Sequence, residues 1–82
     1  MTEKFKEFVK EVNTGLIDTV NHNYDENYNI VISKDGNTLM VPVDELEKYY
    51  TLYTLGRKNF SQAVTRAAAI INKNIIQWYN LE

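Results

Sequence analysis

Hydrophobic residues recur along this chain with two different periods, and the periods mark its elements. Between residues 3 and 21, Phe5, Phe8, Val9, Val12, Leu16 and Val20 follow the i, i+3, i+4 spacing of a helix with one buried stripe. Thr2 is placed to cap its start, and Glu3 in the first turn complements the helix dipole. Gly15 lies at the edge of the stripe, where it costs about 1 kcal/mol against Ala, so it marks close packing or a kink. Ile17 falls on the polar side. The polar run 21–27 reads as a loop.

A period of two takes over next. Asp35-Gly36 is the two-residue signal of a type I′ hairpin, in which both central residues need φ > 0. That turn sets the register: Lys34 opposite Asn37, Ser33 opposite Thr38, Ile32 opposite Leu39, Val31 opposite Met40, Ile30 opposite Val41. Tyr28, Ile30, Ile32, Leu39, Val41 and Val43 then share the core face, and Asn29, Val31, Ser33, Thr38 and Met40 the other. Pro42 donates no ladder bond and belongs at a strand end or on an edge.

Helical spacing returns twice. Asp44 and Glu47 resemble a capping pair, predicting a short helix from about Glu45 to Leu55 with Gly56 just beyond it. Leu46, Tyr49, Tyr50 and Tyr53 share one face of it, Leu52 and Leu55 another. Asn59 and Gln62 form a second cap signal and open a helix running to Asn80. On its wheel Phe60, Val64, Ala67, Ala68, Ile71, Ile75 and Trp78 lie on one arc, which Ala63, Ile70 and Tyr79 widen to about half the circumference. Asn74 interrupts that arc, and Ile76 stands among polar residues. One packed neighbour needs only about 100° of stripe, so the broad arc predicts contact with more than one element or with a second subunit.

The expected fold is α+β, a single domain over 1–82, ordered α-β-β-α-α, with a two-stranded antiparallel hairpin packed on three helices. A lone hairpin is barely stable and has open edges. Two hairpins joined across a two-fold axis would make a four-stranded sheet. Ile17, Val31, Met40, Leu52, Leu55, Ile76 and Trp78 are the candidate interface residues of such a homo-oligomer, a dimer in the first instance.

Composition narrows the function classes. There is no cysteine among the 82 residues, hence no disulfide and no thiolate metal site. No signal peptide or long apolar run is visible, so the expected location is soluble and cytoplasmic. Abundant Asn, Ile, Lys and Tyr match an AT-rich genome, and small cysteine-free chains of that kind are often encoded by phages or mobile elements. The net charge of −2 is uneven: −1 over residues 1–22, −4 over 23–50 and +3 over 51–82.

Catalytic chemistry has little to stand on. His22 is the one histidine and sits in the polar loop with Asp25 and Glu26, without a nucleophile or a recognised metal-ligand spacing. The pairs Asp25-Glu26 and Asp44-Glu45 occupy a loop and a helix start, where carboxylates stay ionised. No glycine-rich phosphate loop is present. The expectation is a chain that is not an enzyme, with no catalytic residue, metal or cofactor.

The strongest polar constellation is Gly56-Arg57-Lys58-Asn59-Phe60-Ser61, two cations just before a helix start. Arg57 can grip a phosphate bidentately and Lys58 adds a point charge. Arg66 and Lys73 continue the stripe, and Tyr50 and Tyr53 upstream offer stacking surface. The reading is a non-enzymatic binding protein that sequesters a small anionic, nucleotide-like ligand or occupies a host protein, with Arg57, Lys58, Asn59, Ser61, Arg66, Lys73, Tyr50 and Tyr53 as ligand residues. The alternatives are a structural self-assembly protein and a DNA-binding regulator using the last helix. A helix-turn-helix laid over Ser61–Trp78 would expose Ile71 and Ile76 and has no glycine for its turn, so one continuous helix is the simpler expectation. The acidic balance also disfavours nucleic acid.

Overall fold

The computed structural model describes residues 1–81. Six elements run in the order α1 (Glu3–Thr14), β1 (Asn21–Tyr24), β2 (Ile30–Lys34), β3 (Asn37–Val41), α2 (Val43–Thr54) and α3 (Phe60–Trp78). The fold is α+β, with three helices and one antiparallel sheet of strand order β1-β2-β3. The order is therefore α-β-β-β-α-α: the expected hairpin carries a third strand.

The β2–β3 register is the one that the Asp35-Gly36 turn dictates, from Lys34 opposite Asn37 to Ile30 opposite Val41. Asp35 (φ 51°) and Gly36 (φ 81°) both take the positive φ of a type I′ turn. The third strand comes from residues 21–27, expected as a loop. Asn21–Tyr24 pairs with β2 from Asn21 opposite Ser33 to Tyr24 opposite Ile30. A polar strand carries no hydrophobic alternation to betray it, and what recruits it is the free edge of β2.

The first helix also departs from expectation, ending at Thr14 rather than near residue 21. The Gly15 amide turns back onto the Glu11 and Val12 carbonyls, and a long-range clamp redirects the chain. Asn72 of α3 accepts the Ile17 amide at 3.0 Å and donates to the Gly15 carbonyl at 3.1 Å. A Cβ on Gly15 would lie 3.2 Å from the Ala68 Cβ, so the glycine also permits α1 and α3 to approach closely. Leu16 and Val20 are buried from the connecting segment, not from a helix.

The second helix starts two residues before the expected position. Its N-cap is Pro42, which has no side-chain acceptor, so Asp44 is inside the first turn and is not the cap. The acceptor comes from elsewhere: Asn29 Oδ1 takes the Val43 amide at 2.8 Å. The end matches expectation, with Gly56 at φ 73°, its amide on the Tyr53 carbonyl and the Arg57 amide on Leu52, a Schellman closure. The third helix opens with the expected Asn59–Gln62 capping box and runs unbroken through Trp78, which leaves no helix-turn-helix.

The helices cover one face of the sheet. Phe8, Val9 and Val12 of α1, Ile30 and Ile32 of β2, Leu46 of α2 and Ile75 of α3 are fully buried, each contributing about 1.5–3 kcal/mol of transfer free energy. Tyr79 ties the far end of α3 to the hairpin, its hydroxyl donating to the carbonyls of Asn37 at 2.7 Å and Ile32 at 3.3 Å. No helix among the described residues is long and apolar enough to cross a membrane.

Candidate functional site: the basic face of the last helix

The α2–α3 turn and the outer face of α3 carry Arg57, Lys58, Arg66 and Lys73, all exposed. Among the described residues the ion pairs are Lys4–Glu7, Lys6–Glu3 and Lys34–Asp35, at 3.6–3.8 Å. None uses a cation of this region, so no carboxylate among the described residues lies within 4 Å of these four positive charges. Lys58, Ser61, Gln62, Thr65, Arg66 and Ala69 surround a shallow depression of about 410 Å³. Arg57 and Lys73 do not line it.

The capping box has a consequence for this surface. Gln62 donates its amide to Asn59 Oδ1 at 2.8 Å, and Asn59 donates its own to Gln62 Oε1 at 3.0 Å. Two of the donors that an anion at a helix start would use are already paired. An anion here is met mainly by the side chains of Lys58 and Arg66 and the hydroxyls of Ser61 and Thr65.

Tyr50 and Tyr53 lie in the aromatic core between α1 and α2, away from that depression. Tyr50 packs edge-on against Phe5 and Phe8, with ring centroids 5.2 and 5.3 Å apart. Tyr53 meets Phe60 edge-on at 5.3 Å, and the Lys4 ammonium caps the Phe60 ring at 4.1 Å. Both rings are half-buried in this aromatic cluster, and neither lines the basic depression. Tyr49 is the aromatic residue nearer the basic face. Burial pushes its phenol up and Glu45 adds to the rise, while Arg66 opposes both.

The loop residues considered for metal or acid–base chemistry are occupied structurally. His22 sits on β1, its Nδ1 3.0 Å from Asn13 Oδ1. The Asp25 carboxylate accepts the amides of Asn27 and Asn29 and the Asn29 side chain, at 2.9–3.2 Å. Partial desolvation raises its pKa, but these bonds outweigh it and hold the carboxyl below its ordinary value of 3.8. Asp44 and Glu45 are exposed in the first turn of α2, where they favour its dipole. Among the described residues no three His, Cys, Asp or Glu side chains converge on a metal position, and no polar or charged residue is buried.

The apolar residues singled out as an interface do not form one patch. Ile17, Val31 and Leu52 are half-buried, while Leu55 is exposed at the end of α2 and Ile76 on α3. Met40 and Trp78, 52% and 60% exposed, line one groove of about 390 Å³ beside β3 together with Leu39 and Ile71. Trp78 belongs to the apolar arc of α3 but lies beside the outer edge of β3, where it stays exposed. Two residues with long-range roles, Asn72 and Tyr79, carry no local signal, because their partners are some 40 to 57 positions away in the chain.

No family model, curated protein or solved structure matches this chain.

Proposed function

We propose that this chain is a non-enzymatic binding protein that acts by holding an anionic group on the outer face of α3. The observation that carries the reading is the depression flanked by Lys58 and Arg66, neither ion-paired among the described residues, with Ser61 and Thr65 as hydroxyl donors. The shared chemistry is a phosphate or carboxylate, presented by a nucleotide-sized ligand or by the acidic surface of a partner protein. Tyr50 and Tyr53 do not line that depression, which weighs against base stacking there, so recognition rests on charge and hydrogen bonding. Duplex DNA is the weaker occupant, since residues 1–50 carry the −1 and −4 of the two preceding segments.

An NMR titration at low salt tests the reading, using a nucleoside triphosphate, an oligoglutamate peptide and a short DNA duplex as probes. Amide shifts confined to residues 58–69 are expected with the triphosphate or the peptide. They should vanish in Lys58→Ala/Arg66→Ala while the melting temperature stays within a degree or two, as surface changes usually cost under about 0.5 kcal/mol. Shifts with DNA alone would replace the reading by a DNA-binding one, and shifts with none of the three would sink it.

A further inference from the structure

β3 pairs with β2 on one side and forms an edge of the sheet on the other. In a two-residue hairpin the residues flanking the turn form a hydrogen-bonded pair, and bonded and non-bonded pairs then alternate. With Lys34 opposite Asn37, the bonded pairs to β2 are Lys34–Asn37, Ile32–Leu39 and Ile30–Val41. The amides and carbonyls of Thr38 and Met40 therefore point away from β2. No side chain among the described residues accepts from or donates to them. Beyond them lie Gly36, in the turn, and Pro42, which has no N–H. The edge thus presents two donors and two acceptors.

We infer that two copies of this chain pair β3 to β3, antiparallel, about a two-fold axis at Leu39. Thr38 then exchanges both backbone bonds with the second copy's Met40, and Met40 with its Thr38, so every outward group of the edge is used. A shift that paired Met40 with Met40 would set Thr38 against Pro42 and lose a donor on each side. Leu39 meets Leu39 across the axis as a non-bonded pair with Cα atoms about 4.5 Å apart. The two sheets join into one of six strands, which the three-stranded observation substitutes for the four expected from sequence.

The symmetry of the edge selects a second copy as the occupant: about Leu39 its two donors and two acceptors complement themselves, with Gly36 and Pro42 closing the two ends. Beside β3 the groove bordered by Trp78 carries Glu45 at the Val41 end, and a second depression bordered by Trp78 carries both Lys34 and Asp35 at the Asn37 end. Glu45 has no cation within 4 Å among the described residues, and Lys34 holds only its exposed neighbour Asp35 at 3.8 Å. An antiparallel two-fold sets the Lys34 end of each copy beside the Glu45 end of the other, and Leu39 of each copy over Trp78 of the other. This surface is separate from the basic face of α3, and the pairing stands or falls independently of anion binding.

Sedimentation equilibrium of the full chain tests the pairing. Wild type should be dimeric at high micromolar concentration. Met40→Lys places an ammonium on each edge and should weaken the dimer at least about tenfold, with its far-ultraviolet circular-dichroism spectrum still that of the folded chain because residue 40 is on the surface. The chain lacks cysteine, so a single introduced thiol reads the register. Leu39→Cys should oxidise to a covalent dimer. Thr38→Cys should not, because its Cα lies more than about 7 Å from its symmetry mate. A monomeric wild type, a dimer indifferent to Met40→Lys, or cross-linking through Cys at position 38 in place of 39 would each overturn the inference.

Discussion

The two edges of the sheet end in opposite ways. On β1 the amide of Tyr24 points outward and is already met by the Asn23 side chain, whose Oδ1 accepts it at 2.9 Å. The ring of Tyr24 stacks on Tyr28 with centroids 5.6 Å apart, and Lys10 lies 6.0 Å from it. On β3 the outward groups of Thr38 and Met40 have no such partner among the described residues, and the flanking side chains are Met40 and Trp78. At Tyr24 a neighbouring side chain covers the outward amide, whereas β3 keeps its backbone bonding capacity beside an apolar groove. Edge strands are hazards that folded chains usually blunt, and the local cover of this kind lies on β1.

Four perturbations break or sharpen that contrast. The largest effect is expected from Ile32→Ala, which hollows the central strand that both edges share. Loss of a fully buried Ile should cost about 2–5 kcal/mol in denaturant unfolding and loosen both edges together. Asn29→Ala comes next. It removes the acceptor of the Val43 amide and a bond to Asp25, which should cost about 1–2 kcal/mol and increase amide exchange at the start of α2.

A smaller change reaches the contrast directly. Asn23→Ala frees the outward amide of Tyr24 and should cost under about 1 kcal/mol, because water replaces the lost bond. Amide exchange at Tyr24 should quicken while the exchange of β3 stays as it was. If Tyr24 exchanges at the same rate in both proteins, the side chain does not blunt that edge. The smallest effect concerns acid. The Asp25 pKa is lowered by folding, so its contribution is complete above its unfolded value of 3.8 and fades as pH falls through the lower folded value. Asp25→Asn should therefore flatten the acid limb of the stability curve while changing little at neutral pH. An unchanged acid limb would mean that the turn carboxylate is not linked to folding.

Legibility followed the range of the interactions. The hairpin register could be read because a two-residue turn and a period-two pattern both act within a dozen positions. The caps at Asn59–Gln62 and Gly56 were legible for the same reason. The β1 strand was not, since Asn, His, Asn and Tyr show turn-like chemistry and pair only because β2 offers a partner. The length of α1 was misread because Leu16 and Val20 continue a helical spacing while being buried from an irregular segment. In the candidate site, Lys58, Ser61 and Arg66 line one depression, while Arg57 and Lys73, grouped with them from the sequence, do not. A helix wheel carries no depth, so Tyr50 and Tyr53 were assigned to a ligand although their rings pack on Phe5, Phe8 and Phe60.

The sequence by itself determined the hairpin and its register, the start of α3, the close of α2 and the separation of positive charge into the last third. These depend on local backbone preferences, on neighbouring side chains and on charge counting. Tertiary structure alone decided where α1 stops, what caps α2, that the polar run becomes a strand, and which edge stays open. Each of those depends on a side chain or strand brought in from a distant part of the chain, such as Asn72 on Gly15 or Asn29 on Val43, and its bond exists only once packing has placed the two together.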